Sequence, residues 1–307
     1  MIFLWYYIKQ IKEEDLLPKK DMPNFMKKII IKLRKLLKYG KIKKIDGEKM
    51  LYIFPKEKIQ RRIKKNENNI ILSKELKEKL KSNKRGIEIN TKQIQKYLLE
   101  ETIQYILEIL EEKTLTLEMI DLYFLVNQYE KENVEILTYF LEKVKTMNII
   151  TKDVQNYIRL EEKWETEKGI FITVSNNKRK SLKKARWVIN LDFEMNELKN
   201  YVLYRNAFIL NMTEEKQMKI PAFEGIIIQK IELTVKEKLQ QEWKAMGLDS
   251  QVFDIIDLYE TCVQKQSDYF QNVRKLEENG VKIINLIGNN GRIGQKEILE
   301  KKIFLTN

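Results

Sequence analysis

The chain has 307 residues, 43% of them hydrophobic, with one cysteine, no histidine and a formal net charge of +13 at pH 7. This length and apolar content suffice for two domains with a buried core. The missing histidine excludes the usual serine or cysteine triad and a histidine-based metal centre, and Cys262 alone forms neither an internal disulfide nor a thiolate zinc site.

The charge is local. Residues 26–65 carry 16 Lys and Arg against 3 Asp and Glu, whereas 66–307 carry 38 against 38. A positive field therefore belongs to an N-terminal segment and not to the rest of the chain. The opening residues 1–8 are apolar, but the run is far shorter than the roughly 20 residues of a membrane span, and Glu13, Glu14 and Asp15 follow. With no signal-peptide pattern the expected location is cytoplasmic, peripheral to the membrane at most. Met22 and Met26 precede a better helix start, so a downstream initiator is an expectation.

Over 26–39, Ile29, Ile30, Leu33, Leu36 and Leu37 recur at helical spacing among Lys27, Lys28, Lys32, Arg34, Lys35 and Lys38. The pattern predicts a basic amphipathic helix. Two readings stay open: contact with an anionic membrane surface or a nucleic-acid backbone through those cations, or a solvated helix packed on its own domain. Residues 66–118 predict a small α/β unit, with strands at 70–72 and 86–89, a short helix over 74–81 and a long one from Thr91 to about Glu112.

From 120 to 212 one pattern repeats, a short β-branched and aromatic run ending in polar residues, then a helical stretch. The runs are 120–126, 147–150, 170–174, 187–189 and 207–210, the last closing on Asn211. Apolar residues at successive positions, alternating with helices, belong in a parallel sheet buried on both faces. Asn133, Asp153 and either Asn176 or Asn177 are the expected helix caps, with Gly169 as a stop and a short basic helix over 178–184. A further strand is expected at 225–228, helix over 235–278 interrupted at Gly247, a strand at 281–287, a glycine-containing loop and a last helix over 295–302.

The fold class is thus α/β, a Rossmann-like mostly parallel sheet with flanking helices, preceded by a small α/β unit and followed by a C-terminal helical segment. The corresponding segments are 1–65, 66–118, 119–230 and 231–307. Such sheets bind ligands beyond the carboxyl ends of their strands. Asn127, Thr151, Lys152, Asn176, Asn190 and Asp192 are the candidate binding residues there, open to a small molecule or a protein partner.

Ile149-Ile150-Thr151-Lys152 and Ala185-Arg186-Trp187-Val188-Ile189-Asn190 give this region a more particular likeness. It resembles the nucleotide-binding half of shikimate-dehydrogenase-like and glutamyl-tRNA-reductase-like proteins, which implies NAD or NADP in the crevice. Against that cofactor stands the stretch Asn127-Gln128-Tyr129-Glu130-Lys131-Glu132-Asn133, which has no glycine where the family has its phosphate-binding turn. A later pattern, Gly288-Asn289-Asn290-Gly291-Arg292-Ile293-Gly294, looks like the cofactor loop of short-chain dehydrogenases. Only 13 residues follow it, too few for that family's unit, so a structural turn is the simpler expectation. Tyr39 and Lys43, spaced like that family's catalytic pair, precede the predicted sheet strands and are read as coincidence. No catalytic residue and no metal site is assigned. Three functions remain: a ligand- or partner-binding α/β protein, an NAD(P)-dependent oxidoreductase with a rebuilt phosphate loop, and an interaction protein acting through its basic helix.

Overall fold

The computed structural model describes residues 5–10, 23–36, 41–45, 49–54, 70–76, 92–110, 116–170, 172–213, 220, 222–262 and 268–301. The chain forms two compact units, Met1–Asn90 with Glu237–Gln264, and Thr91–Lys236 with Lys265–Asn307. In the first, β1 (Trp5–Gln10), α1 (Asn24–Leu36), β2 (Lys41–Ile45), β3 (Lys49–Phe54) and β4 (Ile70–Leu72) give a four-stranded sheet of order β2-β3-β1-β4. Strand β1 runs parallel to β3 and β4, and β2 is antiparallel to β3. The basic helix and the strand at 70–72 are where the sequence places them. None of β1, β2 and β3 is anticipated: β2 (Lys-Ile-Lys-Lys-Ile) carries the low β propensity of lysine, while β1 and β3 are largely apolar and aromatic runs that the sequence reading did not assign as strands. The usable signal there is Asp46-Gly47 between two Ile-containing runs, a hairpin pair. Of the helix expected over 74–81 only 74–76 are described, and both Thr91 and the strand expected at 86–89 fall outside the described residues.

The second unit begins with α2 (Lys92–Tyr97) and α3 (Leu99–Ile109), two helices parted at Leu98 where one was expected. Its main sheet comprises β5 (Asp121–Leu125), β6 (Thr146–Ile150), β7 (Thr173–Ser175), β8 (Trp187–Asn190), β9 (Phe208–Asn211) and β10 (Ile226–Ile228). The order is β10-β9-β8-β5-β6-β7, with every neighbouring pair parallel. Counted from β5, this is the 3-2-1-4-5-6 order of the doubly wound Rossmann-like fold. Every residue of β8, β9 and β10 is buried, as the unbroken apolar runs require.

The crossovers α4 (Lys131–Leu141) and α5 (Val154–Lys168) bury Ile136, Leu137, Phe140 and Leu141, and Tyr157, Leu160 and Trp164. The rings of Phe124 and Phe140 meet at 5.6 Å between centroids. Gly169 ends α5 at φ 67°, a conformation glycine adopts without the Cβ penalty. Two local expectations are corrected. Asn133 lies inside the first turn of α4, whose N-cap is Glu130. Residues 178–184 form consecutive turns, not a helix, held by Asn177 Oδ1 accepting from the backbone N–H of Arg179 and Lys180. The asparagine thus stabilises a turn that competes with helix, the habit of its short polar side chain.

Between β8 and β9 stands only the four-residue α6 (Met195–Leu198). Leu182, Phe193, Leu198 and Tyr201 pack there with Leu125, Ile150, Val188 and Ile209. Gly225 precedes β10 at a close approach: a Cβ on it would lie 2.1 Å from the carbonyl oxygen of Ala207. Gly225→Ala is expected to cost about 1–3 kcal/mol through overpacking. Urea unfolding measures this, and an unchanged midpoint contradicts the close approach.

Next come β11 (Lys230–Thr234), α7 (Glu237–Ala245), α8 (Ile255–Cys262), α9 (Tyr269–Glu278), β12 (Lys282–Gly288), β13 (Gly291–Arg292) and α10 (Gln295–Leu299). The stretch expected to be helical over 235–278 is three helices, shared between the units: α7 and α8 belong to the first and α9 to the second. Helical periodicity is local and cannot show which core a helix joins. In the first unit Trp243, Leu248, Phe253 and Leu258 are buried, as are Ile71, Leu72 and Leu76. Lys74 ties this layer together, its Nζ donating to the Ser250 carbonyl at 2.8 Å and its N–H to that of Val252 at 2.9 Å. Strands β11, β12 and β13 form an antiparallel sheet in the second unit. The glycine-rich stretch is the hairpin turn between β12 and β13, with Gly288 opposite Gly291 and Ile287 opposite Arg292. Arg292 pairs with Glu232 at 2.8 Å. Among the described residues no helix is long and apolar enough to cross a membrane.

Candidate functional site at the strand carboxyl ends

In a doubly wound sheet the connections leave in opposite directions from the two central strands, here β5 and β8. Their carboxyl ends part and open a crevice, where a nucleotide phosphate would meet the backbone N–H groups of the loop after β5. In this protein Asp192, just beyond β8, reaches into that position. Its Oδ1 accepts the N–H of Asn127 at 2.6 Å and its Oδ2 that of Gln128 at 2.8 Å. Asn133 Nδ2 donates to the same Oδ2 at 3.3 Å and to the Gln128 carbonyl at 3.0 Å. A carboxylate of the chain itself therefore takes the donors that a phosphate would use.

Burial pushes the Asp192 carboxyl up, and the two backbone donors offset only part of that rise. Beneath the loop, buried Tyr157 donates its hydroxyl to the Gln128 carbonyl at 2.9 Å. Burial drives that phenol well above its ordinary range, and the nearby Asp192 charge adds to the effect. It is a fixed donor and not a proton shuttle at neutral pH.

The end of β6 is joined to the same loop. The Lys152 N–H donates to Asn127 Oδ1 at 2.9 Å, and Lys152 Nζ lies 2.8 Å from Glu197 Oε2, which also accepts from Asn127 Nδ2 at 3.2 Å. Glu197, on α6, is 8% exposed, and its Oε1 has no hydrogen-bond partner among the described residues. Thr151 is buried and shapes the turn, its Oγ1 accepting the Asp153 N–H at 3.0 Å. Asp153 occupies the N-cap position of α5 without a side-chain capping bond, and its carboxylate accepts from Asn156 instead.

Across the other half of the sheet the carboxyl ends are bound by amides. Asn190 Oδ1 accepts the Phe193 N–H and its Nδ2 donates to the Phe193 carbonyl, both at 2.9 Å. Asn190 stands in register with Asn211 and donates to its Oδ1 at 2.8 Å. Asn211 donates in turn to Gln229 Oε1 at 2.9 Å, and Gln229 to Asn289 Oδ1 in the β12–β13 turn at 3.2 Å.

No protein-family model matches the chain, and no curated protein matches it.

Of the six candidate binding residues, Asn127, Lys152 and Asp192 come together in one hydrogen-bonded cluster. Thr151 and Asn190 are fully buried and spend their polar groups on the turns beneath it. Asn176 is exposed beyond β7. Sequence reasoning did not select Gln128, Asn133, Glu197, Gln229 or Asn289 as site residues. Asn211 and Gln229 had a signal, since each directly ends an apolar strand run as Asn190 does. Glu197 had none, because nothing in its local pattern shows that α6 turns it towards β6. Among the described residues no cluster of acidic or thiol groups could hold a metal ion. The fit to NAD or NADP is poor: the loop carries no glycine, its first two donors are engaged by Asp192, and Glu130 adds negative charge.

Proposed function

We propose that this protein is a non-catalytic α/β binding protein, whose Rossmann-like unit presents the outer surface of its strand ends to a protein or small-molecule partner. The observation that supports this reading is the pair of bonds from the Asn127 and Gln128 N–H groups to Asp192. With those donors satisfied internally, the crevice is closed to a pyrophosphate in the ordinary mode. Gln128, Tyr129 and Asn176, all with exposed side chains, remain available to a partner. Oxidoreductase chemistry on NAD or NADP would require Asp192 to vacate its place, which costs the loop both bonds.

Calorimetry and thermal-shift measurements on the full chain with NAD, NADP and their reduced forms test this. Concentrations up to the millimolar range are expected to leave the melting temperature unchanged. A saturable shift that disappears in Lys152→Ala would sink the proposal and favour the enzyme.

A further inference from the structure

We infer that α1 docks in the plane of an anionic lipid surface. The helix, Asn-Phe-Met-Lys-Lys-Ile-Ile-Ile-Lys-Leu-Arg-Lys-Leu, contains five cations and no acidic residue. The Pro23 carbonyl accepts its first described helical bond, from the Lys27 N–H at 3.1 Å. Lys27, Ile30 and Ile31 are half-buried and share one side of the helix. On another side Phe25, Ile29 and Leu33, four residues apart, are 62%, 52% and 52% exposed, and Met26 beside them is 45% exposed.

At about 100° per residue, Phe25, Ile29, Leu33 and Met26 share one arc, and Lys28 and Lys32 border it. Both lysines are exposed. A solvated surface helix normally turns its large aliphatic and aromatic residues inward and its charges outward; here an apolar stripe and a lysine row lie side by side in water. That arrangement suits a bilayer interface, where apolar side chains enter the acyl boundary while ammonium groups stay among acidic headgroups.

The alternatives match it less well. A nucleic-acid backbone would engage the lysines but give no reason to expose Phe25, Ile29 and Leu33. A second copy of this chain could cover the stripe, but only by bringing two lysine rows together in a segment already rich in positive charge.

Co-sedimentation of the full chain with phosphatidylcholine vesicles, with and without phosphatidylglycerol, tests the inference. Binding is expected only to the anionic vesicles. It should fall at least about tenfold in Ile29→Ser/Leu33→Ser, and by a similar factor in Lys28→Glu/Lys32→Glu. These side chains are exposed, so both variants should melt as the parent does. Raising the salt on the unmodified chain gives a readout free of any mutation: binding should weaken, as expected of interactions with acidic headgroups. No sedimentation with anionic vesicles overturns the inference. So does binding that survives the serine substitutions while duplex DNA or RNA competes, which would assign the lysines to nucleic acid. Conversion of a dimer to a monomer by the serine substitutions, without vesicle binding, would assign the stripe to a second copy and overturn it too.

Discussion

Replacing Asn190 by alanine is expected to lower the unfolding free energy by about 3–5 kcal/mol. The side chain is fully buried at the end of β8. It supplies an acceptor for the Phe193 N–H, a donor for the Phe193 carbonyl and a donor for Asn211 Oδ1. Alanine leaves the Phe193 N–H and carbonyl without this partner, while Asn211 Oδ1 keeps the Thr213 hydroxyl at 3.0 Å, and each unsatisfied buried group costs about 1–3 kcal/mol. Asn190→Leu would fill the volume yet satisfy none of them, so it should not restore stability. Urea unfolding of both variants is the measurement, and a loss below about 1 kcal/mol would show that water replaces the bonds.

Asp192→Ala should cost less, about 2–4 kcal/mol, because the Gln128 end of its bonds is open to water while Asn127 is half-buried. The more telling result concerns anions. Removing the carboxylate releases two adjacent N–H groups beside Lys152, so sulfate or inorganic phosphate should raise the melting temperature of Asp192→Ala more than that of the parent. Equal responses would mean that the loop collapses when Asp192 is lost and that the carboxylate does not stand in for a phosphate.

The pH dependence has a definite sign. Since burial raises the Asp192 carboxyl above its ordinary 3.8, the folded form holds its proton to higher pH than the unfolded form does. Its contribution to stability is therefore greatest below that value and declines as pH rises through the window up to the folded-state value. The alanine variant should lack this part of the slope.

The sheet was legible because burial on both faces leaves its mark at every position: Trp187, Val188 and Ile189, or Phe208, Ile209 and Leu210, cannot be spaced that way on a half-solvated strand. Elements whose stability comes from elsewhere were not. The strand at 41–45 is written in lysine and isoleucine, so composition masks its alternation, whereas the apolar run at 49–54 carried a signal that went unread. The turns at 178–184 carry helix-forming lysines, but Asn177 and Ser181 hold the backbone in a tighter path through local hydrogen bonds. At the site, the polar residues at the strand ends were readable as a set, whereas their use was not. Asp192 and Asn127 lie 65 positions apart, and no local pattern says that a carboxylate and a pair of N–H groups will meet. The loop without glycine did carry a message, since it lacks the residues of a phosphate-binding turn and its N–H groups are bonded by a side chain instead.

The row of carboxamides from Asn190 through Asn211 and Gln229 to Asn289 has a direction, because each NH2 group donates to the oxygen of the next residue, whose own NH2 group donates onward. Its orientation is set at one end, where the backbone of Phe193 admits Asn190 in a single sense. A rotation at any position would oppose two donors or two oxygens unless its neighbours turned with it. The orientation of one buried amide thus fixes that of the next as far as the β12–β13 turn, and the rim of the sheet is held as a single cooperative seam.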